Sequence, residues 1–209
     1  MNRRVAALSG GAFALWIAVA SPVAHFGHHL LTGHMLQHLL LMVVAAPLLL
    51  IASGSNVLLS RSLPATFCWL AGSLTVILWH IPAVLSLTLR WHYWHAIEQL
   101  SFLIAGIFFW MPVTGNPRHG SGWSVPVYLF LATLPCDALS GYLVFCGRVV
   151  YPAYGSGGQF FRLSPLDDQA LAGALMWVVV TFAYLIPALF LSARLISGER
   201  THIAQLRTA

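Results

Sequence analysis

His34 and His38 lie four residues apart at the start of an apolar stretch over residues 32–53, TGHMLQHLLLMVVAAPLLLIAS. In a helix, side chains at positions i and i+4 share one face about one turn apart, so both imidazoles can reach a single metal ion. The pattern HMLQH lacks the glutamate that follows the first histidine in zinc proteases, and Gln37 supplies no general base. The pair therefore predicts metal binding without hydrolysis, or else two histidines that hydrogen-bond at a membrane interface.

Further donor side chains lie in the next two apolar stretches. His80 ends one of them, between an interfacial tryptophan and a helix-bending proline in WHIP. His92, His95 and Glu98 follow at successive i+3 steps in WHYWHAIEQL and share one helix face. Glu98 either favours a helix N-terminus or is the acceptor that fixes the tautomer of a metal-binding imidazole. The neighbouring aromatic residues suit a membrane interface, where His92 can also be simply solvated.

The aspartates of the second half of the chain need separate explanations. Asp137 falls near the middle of an apolar stretch, in LPCDALSG, and an ionisable residue at that depth is treated as functional and needs a partner. The sequence indicates neither the partner nor the role of Asp137. Asp167 and Asp168 precede the last apolar stretch, in SPLDDQALAGALMW, where aspartate commonly caps the helix that it begins.

The chemical types of these side chains limit which metal ions they could bind. Imidazole suits zinc and copper, and a thioether such as that of Met35, next to His34, favours cuprous copper. The small number of carboxylates argues against calcium and magnesium, which prefer oxygen ligands. Paired histidines on neighbouring helices could instead bind a b-type haem through its iron, which is the alternative cofactor.

The composition indicates the kind of fold that positions these residues. Of the 209 residues, 59% are hydrophobic and 7% charged, which excludes an ordinary soluble domain, and the arginines form no patch for nucleic acid. A membrane-spanning helix needs about 20 mostly apolar residues. We therefore predict an all-α, polytopic membrane helical bundle that forms a single integral membrane domain over residues 1–209. It has about six transmembrane helices, at about 5–24, 34–53, 66–85, 95–113, 125–146 and 170–193.

Arginine placement predicts the orientation of this bundle. With both termini cytoplasmic, seven arginines fall inside, namely Arg3, Arg4, Arg61, Arg118, Arg194, Arg200 and Arg207. Three fall outside, namely Arg90, Arg148 and Arg162. Eight of the ten histidines then lie at or near the outer face. The first stretch also resembles a cleavable secretory signal, with an A-x-A site at residues 18–20, but we expect it to be retained.

Four segments together, in this order, resemble the CtaG family of cytochrome c oxidase assembly factors. They are HMLQHLLLMVVAAPLLL, LWHIPAVL, HAIEQLSFLIAGIFFWMPV and PLDDQALAGALMW, and the resemblance covers roughly residues 20–185. SPVAHF, after the first stretch, is also similar to that family. Two features depart from it: Gln99 stands where the family often has histidine, and six stretches stand where about seven are expected.

The resemblance implies a bacterial membrane protein that matures a haem–copper oxidase of the caa3 type. We predict that it is not an enzyme, and that it binds copper at the outer face of the cytoplasmic membrane and hands it to an apo-oxidase subunit. The predicted ligands are four histidines: His34, His38, His80 and His95. The further candidates, as ligands or as their supports, are Met35, His92, Glu98, Asp168 and Gln169. The predicted partners are this subunit and membrane lipid, without nucleic acid, and formation of a homo-oligomer is left open.

Three other functions compete with this prediction. A b-type haem protein would use the same histidines. An intramembrane metalloenzyme is suggested by HAIEQ, which approaches the zinc motif H-x-x-E-H but lacks its second histidine at Gln99. A metal or proton transporter would use Asp137 on a path through the membrane.

Overall fold

The computed structural model of the protein describes residues 2–54, 63–114, 122–154 and 163–208. Within these ranges the chain forms helices and no strand, which confirms the prediction of an all-α fold. The α-helices are α1 (Arg3–Ala20), α2 (Pro22–Gly27), α3 (Leu31–Leu39), α4 (Ala46–Ser53), α5 (Ala65–Trp79), α6 (Pro82–Arg90), α7 (His92–Thr114), α8 (Ser124–Phe145) and α9 (Pro165–Thr208). A π-helical segment, Leu40–Ala45, joins α3 to α4, and a 3₁₀ turn, Pro152–Tyr154, follows α8.

Five helices are long and apolar enough to cross a membrane. The bent pair of α5 and α6 adds a sixth span if the two helices count as one, which agrees with the predicted number. Large apolar side chains such as Phe145 and Leu189 are exposed on the outside of the bundle, as expected for helices that face lipid. The orientation of the termini stays a prediction, and Arg61, Arg118 and Arg162 lie outside the described residues.

The predicted continuous helix over residues 66–85 is wrong, because the chain bends by 73° between α5 and α6. Pro82 has no N–H for the helix ladder, and its ring disfavours helical geometry in the residue before it. Ile81 is accordingly extended, with φ −67° and ψ 123°. The break leaves His80 at the C-terminal end of α5. The last predicted helix, 170–193, is also too short, since α9 begins at Pro165 and ends at Thr208.

The helix formed by α3, the π-helical segment and α4 packs against α1, α7 and α9. In the π segment an amide donates to the carbonyl five residues earlier, as Ala46 does to Leu41. In this register the carbonyl of Met42 would receive the amide of Pro47, which has no hydrogen. The indole Nε1 of Trp110 donates to that carbonyl instead, at 3.0 Å, and so joins α7 to the π-helical segment.

Small residues let the neighbouring helices approach this central helix closely. A Cβ atom on Gly33 would lie 3.0 Å from the backbone nitrogen of Gly27, so α2 and α3 touch backbone to backbone. A Cβ atom on Gly106 of α7 would lie 2.9 Å from the Cα of Met42. Both approaches are tighter than a side chain allows, and they place α2 directly against α3 and α7 directly against the π-helical segment.

Candidate metal centre

Glu98 lies at the centre of a buried cluster of histidines. Its carboxylate comes from α7, and Oε1 lies 3.1 Å from Nε2 of His34 and 3.4 Å from Nε2 of His38, both on α3. Its second oxygen lies 3.4 Å from Nδ1 of His95, one turn earlier on α7. The interpretation of Glu98 as a carboxylate at a helix N-terminus is wrong, because α7 begins at His92 and Glu98 is fully buried.

The donor atoms of this cluster fit a metal ion. One ligand atom each from His34, His95 and Glu98 lies within 4.8 Å of the others. Among the described residues, several of the cluster's buried atoms have no hydrogen-bond partner: His34 Nδ1, His38 Nδ1 and Nε2, His95 Nδ1, and Glu98 Oε2. Buried polar atoms are almost always satisfied in proteins, so unpaired nitrogens around one carboxylate favour a bound cation.

His80 and Met35 form a second pair of donors beside this cluster. The Nδ1–H of His80 donates to the carbonyl of Val76 at 2.7 Å, which leaves the lone pair on Nε2. That nitrogen lies 3.2 Å from the sulfur of Met35, and neither atom then carries a hydrogen to share. A nitrogen and a thioether sulfur that face each other in this way suit a soft ion such as cuprous copper.

His38 connects the two groups of donors. Its ring centroid lies 4.4 Å from that of His34 and 6.3 Å from that of His80. The ring also stacks on Phe102, with centroids 3.8 Å apart, which holds its plane in place. The structure therefore brings the four predicted histidine ligands and Met35 to one end of the bundle, whereas metal binding by them stays a prediction.

Asp168 supports the centre from outside it. Its carboxylate accepts hydrogen bonds from the amides of Leu31 and Thr32, at 2.7 and 3.1 Å, and from the hydroxyl of Thr32 at 2.7 Å. Asp168 belongs to the first turn of α9, but its carboxylate caps α3 and not α9. The cap of α9 is Ser164 and not an aspartate, since the Ser164 hydroxyl accepts from the Asp167 amide at 3.1 Å and donates to the Asp167 carboxylate at 2.6 Å. Asp168 thus fixes the turn that leads into His34.

The side chain of Gln169 hydrogen-bonds to backbone groups and does not lie among the metal donors described above. Its Oε1 accepts from the amide of Val150 at 2.6 Å, and its Nε2 donates to the carbonyls of Leu143 and Arg148. These bonds fix the chain between α8 and the 3₁₀ turn. The turn that follows carries Tyr154, so these bonds help to position Tyr154.

Two residues of the site were missed by sequence reasoning. The ring of Tyr154 packs against that of His34, with centroids 5.9 Å apart, and its buried hydroxyl has no partner among the described residues. Burial, with the nearby carboxylates of Glu98 and Asp168, raises the pKa of Tyr154 well above its usual range, so the hydroxyl stays a donor. Gln99, noted only as a departure from a pattern, binds His95, with its amide nitrogen 2.7 Å from Nε2 of the ring.

His92 lies on the surface, where it is exposed. Its ring centroid lies 6.1 Å from that of His28, and the His28 ring lies 4.7 Å from that of His95. Burial lowers the pKa of His28, and the neighbouring imidazoles, first that of His95, lower it further. Deprotonated imidazole, the form that binds metals, is therefore favoured at His28.

Asp137 is separate from this site. It lies half-buried on α8, and the hydroxyl of Thr181 on α9 donates to its carboxylate at 3.3 Å. Thr181 is the partner that the sequence did not indicate, because the two residues are far apart in the chain. This contact joins α8 to α9.

Comparison with protein families matches residues 1–197 to the model of cytochrome c oxidase caa3 assembly factors (Caa3_CtaG). This range includes every residue of the candidate centre. No curated protein and no solved structure matches the chain.

Proposed function

Because the chain belongs to the family of cytochrome c oxidase caa3 assembly factors, we propose that it binds cuprous copper at the centre around Glu98 and hands it to an apo-oxidase subunit. In this proposal the protein is a carrier and not an enzyme. It lies in the cytoplasmic membrane of a bacterium, and its histidine end faces the outer side, as the arginine distribution predicts.

The observation that supports copper most strongly is the convergence of His34, His38 and His95 on a single buried carboxylate. Imidazole binds a metal ion in its neutral form, so the ligands of such a centre bring one negative charge, that of the glutamate. A monovalent cuprous ion would neutralise that charge, whereas a divalent ion would leave a net positive charge in a medium of low dielectric constant. The thioether of Met35 nearby points to the same oxidation state.

Delivery requires that the ion can leave. The donors form two groups, one around Glu98 and one at His80 and Met35, and His38 lies between them. Copper that exchanges one ligand at a time could move from the first group to the second without becoming free. The His80 group lies at the bend between α5 and α6, and we assign the transfer to the oxidase subunit to this bend.

The proposal is tested in cells that make a caa3-type oxidase and lack this chain. Complementation with the Met35→Leu/His80→Ala variant is expected to leave an oxidase that keeps its haems but holds less copper per haem than the oxidase matured by the wild-type chain. Copper is measured by elemental analysis and haem by the optical spectrum of the purified oxidase. A His25→Ala/His29→Ala variant, changed outside both donor groups, serves as the matched control and should restore copper fully.

Two results would contradict the proposal. One is an oxidase with its full copper content in cells that carry the Met35→Leu/His80→Ala variant at the normal amount in the membrane. The other is loss of haem with copper retained, which would assign the chain to haem insertion. Immunoblots of the variant in the membrane fraction exclude simple loss of the protein.

Gln99 gives a further prediction, because its amide can face His95 in either of two ways. When the amide N–H of Gln99 faces Nε2 of His95, that nitrogen accepts the hydrogen bond. The ring then carries its proton on Nδ1, toward Glu98. After a half-turn of the amide, the oxygen accepts Nε2–H and frees the Nδ1 lone pair for a metal ion. Gln99→Leu removes both arrangements, and we expect copper affinity to fall about 10- to 100-fold.

The control for Gln99 is the nearly isosteric variant Gln99→Glu. Its carboxylate accepts from Nε2–H and so favours the ring form with a free Nδ1. Copper affinity, measured by competition with a chromogenic cuprous chelator, should then stay within a few-fold of wild type. Equal affinities for wild type and Gln99→Leu would show that Gln99 does not position His95.

A further inference from the structure

A chain of imidazole rings leads from the surface to the buried centre. His28 and His92 are exposed, His95 is half-buried, and His34 is fully buried. Successive ring centroids lie 6.1 Å apart from His92 to His28, 4.7 Å from His28 to His95, and 5.7 Å from His95 to His34.

These spacings suit an ion that is shared between neighbouring rings. A metal–imidazole nitrogen bond is about 2.0 Å long, so two rings on one ion have centroids no more than about 6.5 Å apart. Each of the three separations is below that limit. The three atoms from His34, His95 and Glu98 form the compact ligand group within the described residues, whereas the outer rings offer only successive pairs.

We propose that His28 and His92 form a surface site that captures cuprous copper, and that His95 passes the ion from this site to the centre. The inference rests on the proposed function, since it gives the buried centre its entry route. Such a route is needed because Glu98 and His34 are fully shielded from solvent. An ion that exchanges one imidazole for the next is never without ligands as it enters the apolar bundle.

His25, on the same surface, provides a control of the same residue type. Its ring packs on that of His29, with centroids 5.0 Å apart, much as the rings of the capture site pack on each other. Of the rings of His25, His28 and His92, however, it is the His28 ring that has a described contact with the His95 ring. Capture through His95 therefore predicts an effect from the loss of His28 and His92, and none from the loss of His25.

The test measures the rates of copper uptake and release by the full-length protein in detergent. Cuprous copper is supplied from a chromogenic chelator at low free concentration, and excess chelator then withdraws it. In His28→Ala/His92→Ala we expect both rates to fall about tenfold, with the final copper content unchanged, because an intermediate site alters rates and not the equilibrium. His25→Ala should match wild type in both rates.

Several results would overturn the capture site. Unchanged rates in His28→Ala/His92→Ala would show that copper enters elsewhere. A lowered final content would make the two residues ligands of the centre itself. An equal slowing in His25→Ala would show that any surface histidine collects copper.

A second measurement separates this inference from the function of the centre. In a His34→Ala/His38→Ala background, diethylpyrocarbonate modification of His28 and His92 is followed by mass spectrometry with and without cuprous copper. Copper should slow their modification severalfold more than that of His25. Absence of protection overturns the capture site, whereas protection together with a wild-type centre that retains no copper would overturn the proposed function alone.

Discussion

His34→Ala/His38→Ala is expected to lower the affinity for cuprous copper by at least about 100-fold, because loss of a support alone costs about 10- to 100-fold. The two side chains supply two of the three imidazoles around Glu98. Their removal leaves His95 as the only imidazole of this group. Affinity is measured on the detergent-purified protein by competition with a chromogenic cuprous chelator.

A second variant distinguishes loss of copper ligands from loss of copper binding through misfolding. His38 stacks on Phe102, so its truncation also opens a cavity, and circular dichroism must show that the helices persist. Glu98→Gln keeps the shape of the side chain and removes its charge, and it should also weaken copper binding. If both variants stay helical and bind copper as tightly as wild type, the assignment of the centre is wrong.

Asp168→Ala is expected to destabilise the folded protein by about 2–4 kcal/mol, because it leaves buried donors of α3 without an acceptor. The Asp168 carboxylate satisfies the amides of Leu31 and Thr32 and the hydroxyl of Thr32. Water does not replace it readily, since the side chain is only 2% exposed. The measurement is thermal unfolding in detergent, followed by circular dichroism.

The neighbouring residue gives the control for Asp168. Asp167 is exposed, and its carboxylate accepts only from the hydroxyl of Ser164, which caps α9, so Asp167→Ala should cost only about 0.5–1 kcal/mol. Because α3 begins at the residues that Asp168 caps, Asp168→Ala should also weaken copper binding, whereas Asp167→Ala should not. Equal unfolding temperatures for the two variants would contradict the assigned role of Asp168.

Sequence periodicity was sufficient for the parts of the site that lie within one helix. His34 and His38 do share a face of α3, and His95 and Glu98 do share a face of α7, as their i+4 and i+3 spacings predict. The approach of these two faces was not predictable from spacing. It depends on Gly106 and on the Trp110 bond to the Met42 carbonyl, which are tertiary contacts.

The errors of the sequence analysis arose where a neighbouring helix supplies the partner. Asp168 precedes an apolar stretch and was expected to cap its own helix, yet its partners lie at Leu31 and Thr32, more than 130 residues away. Tyr154 gave no signal at all, because a tyrosine in a loop is ordinary until a fold places it on His34. The bend at His80, by contrast, followed from Pro82, and the continuous prediction gave that proline too little weight.

Copper binding is tested most directly by the metal content of wild-type protein that has been reconstituted with cuprous copper in detergent and examined by optical and X-ray absorption spectroscopy. We expect about one copper ion per chain, imidazole nitrogens at about 2.0 Å from the copper, and no Soret band. Absence of retained copper, or a Soret band in the purified protein, would show that the chain is not a copper carrier.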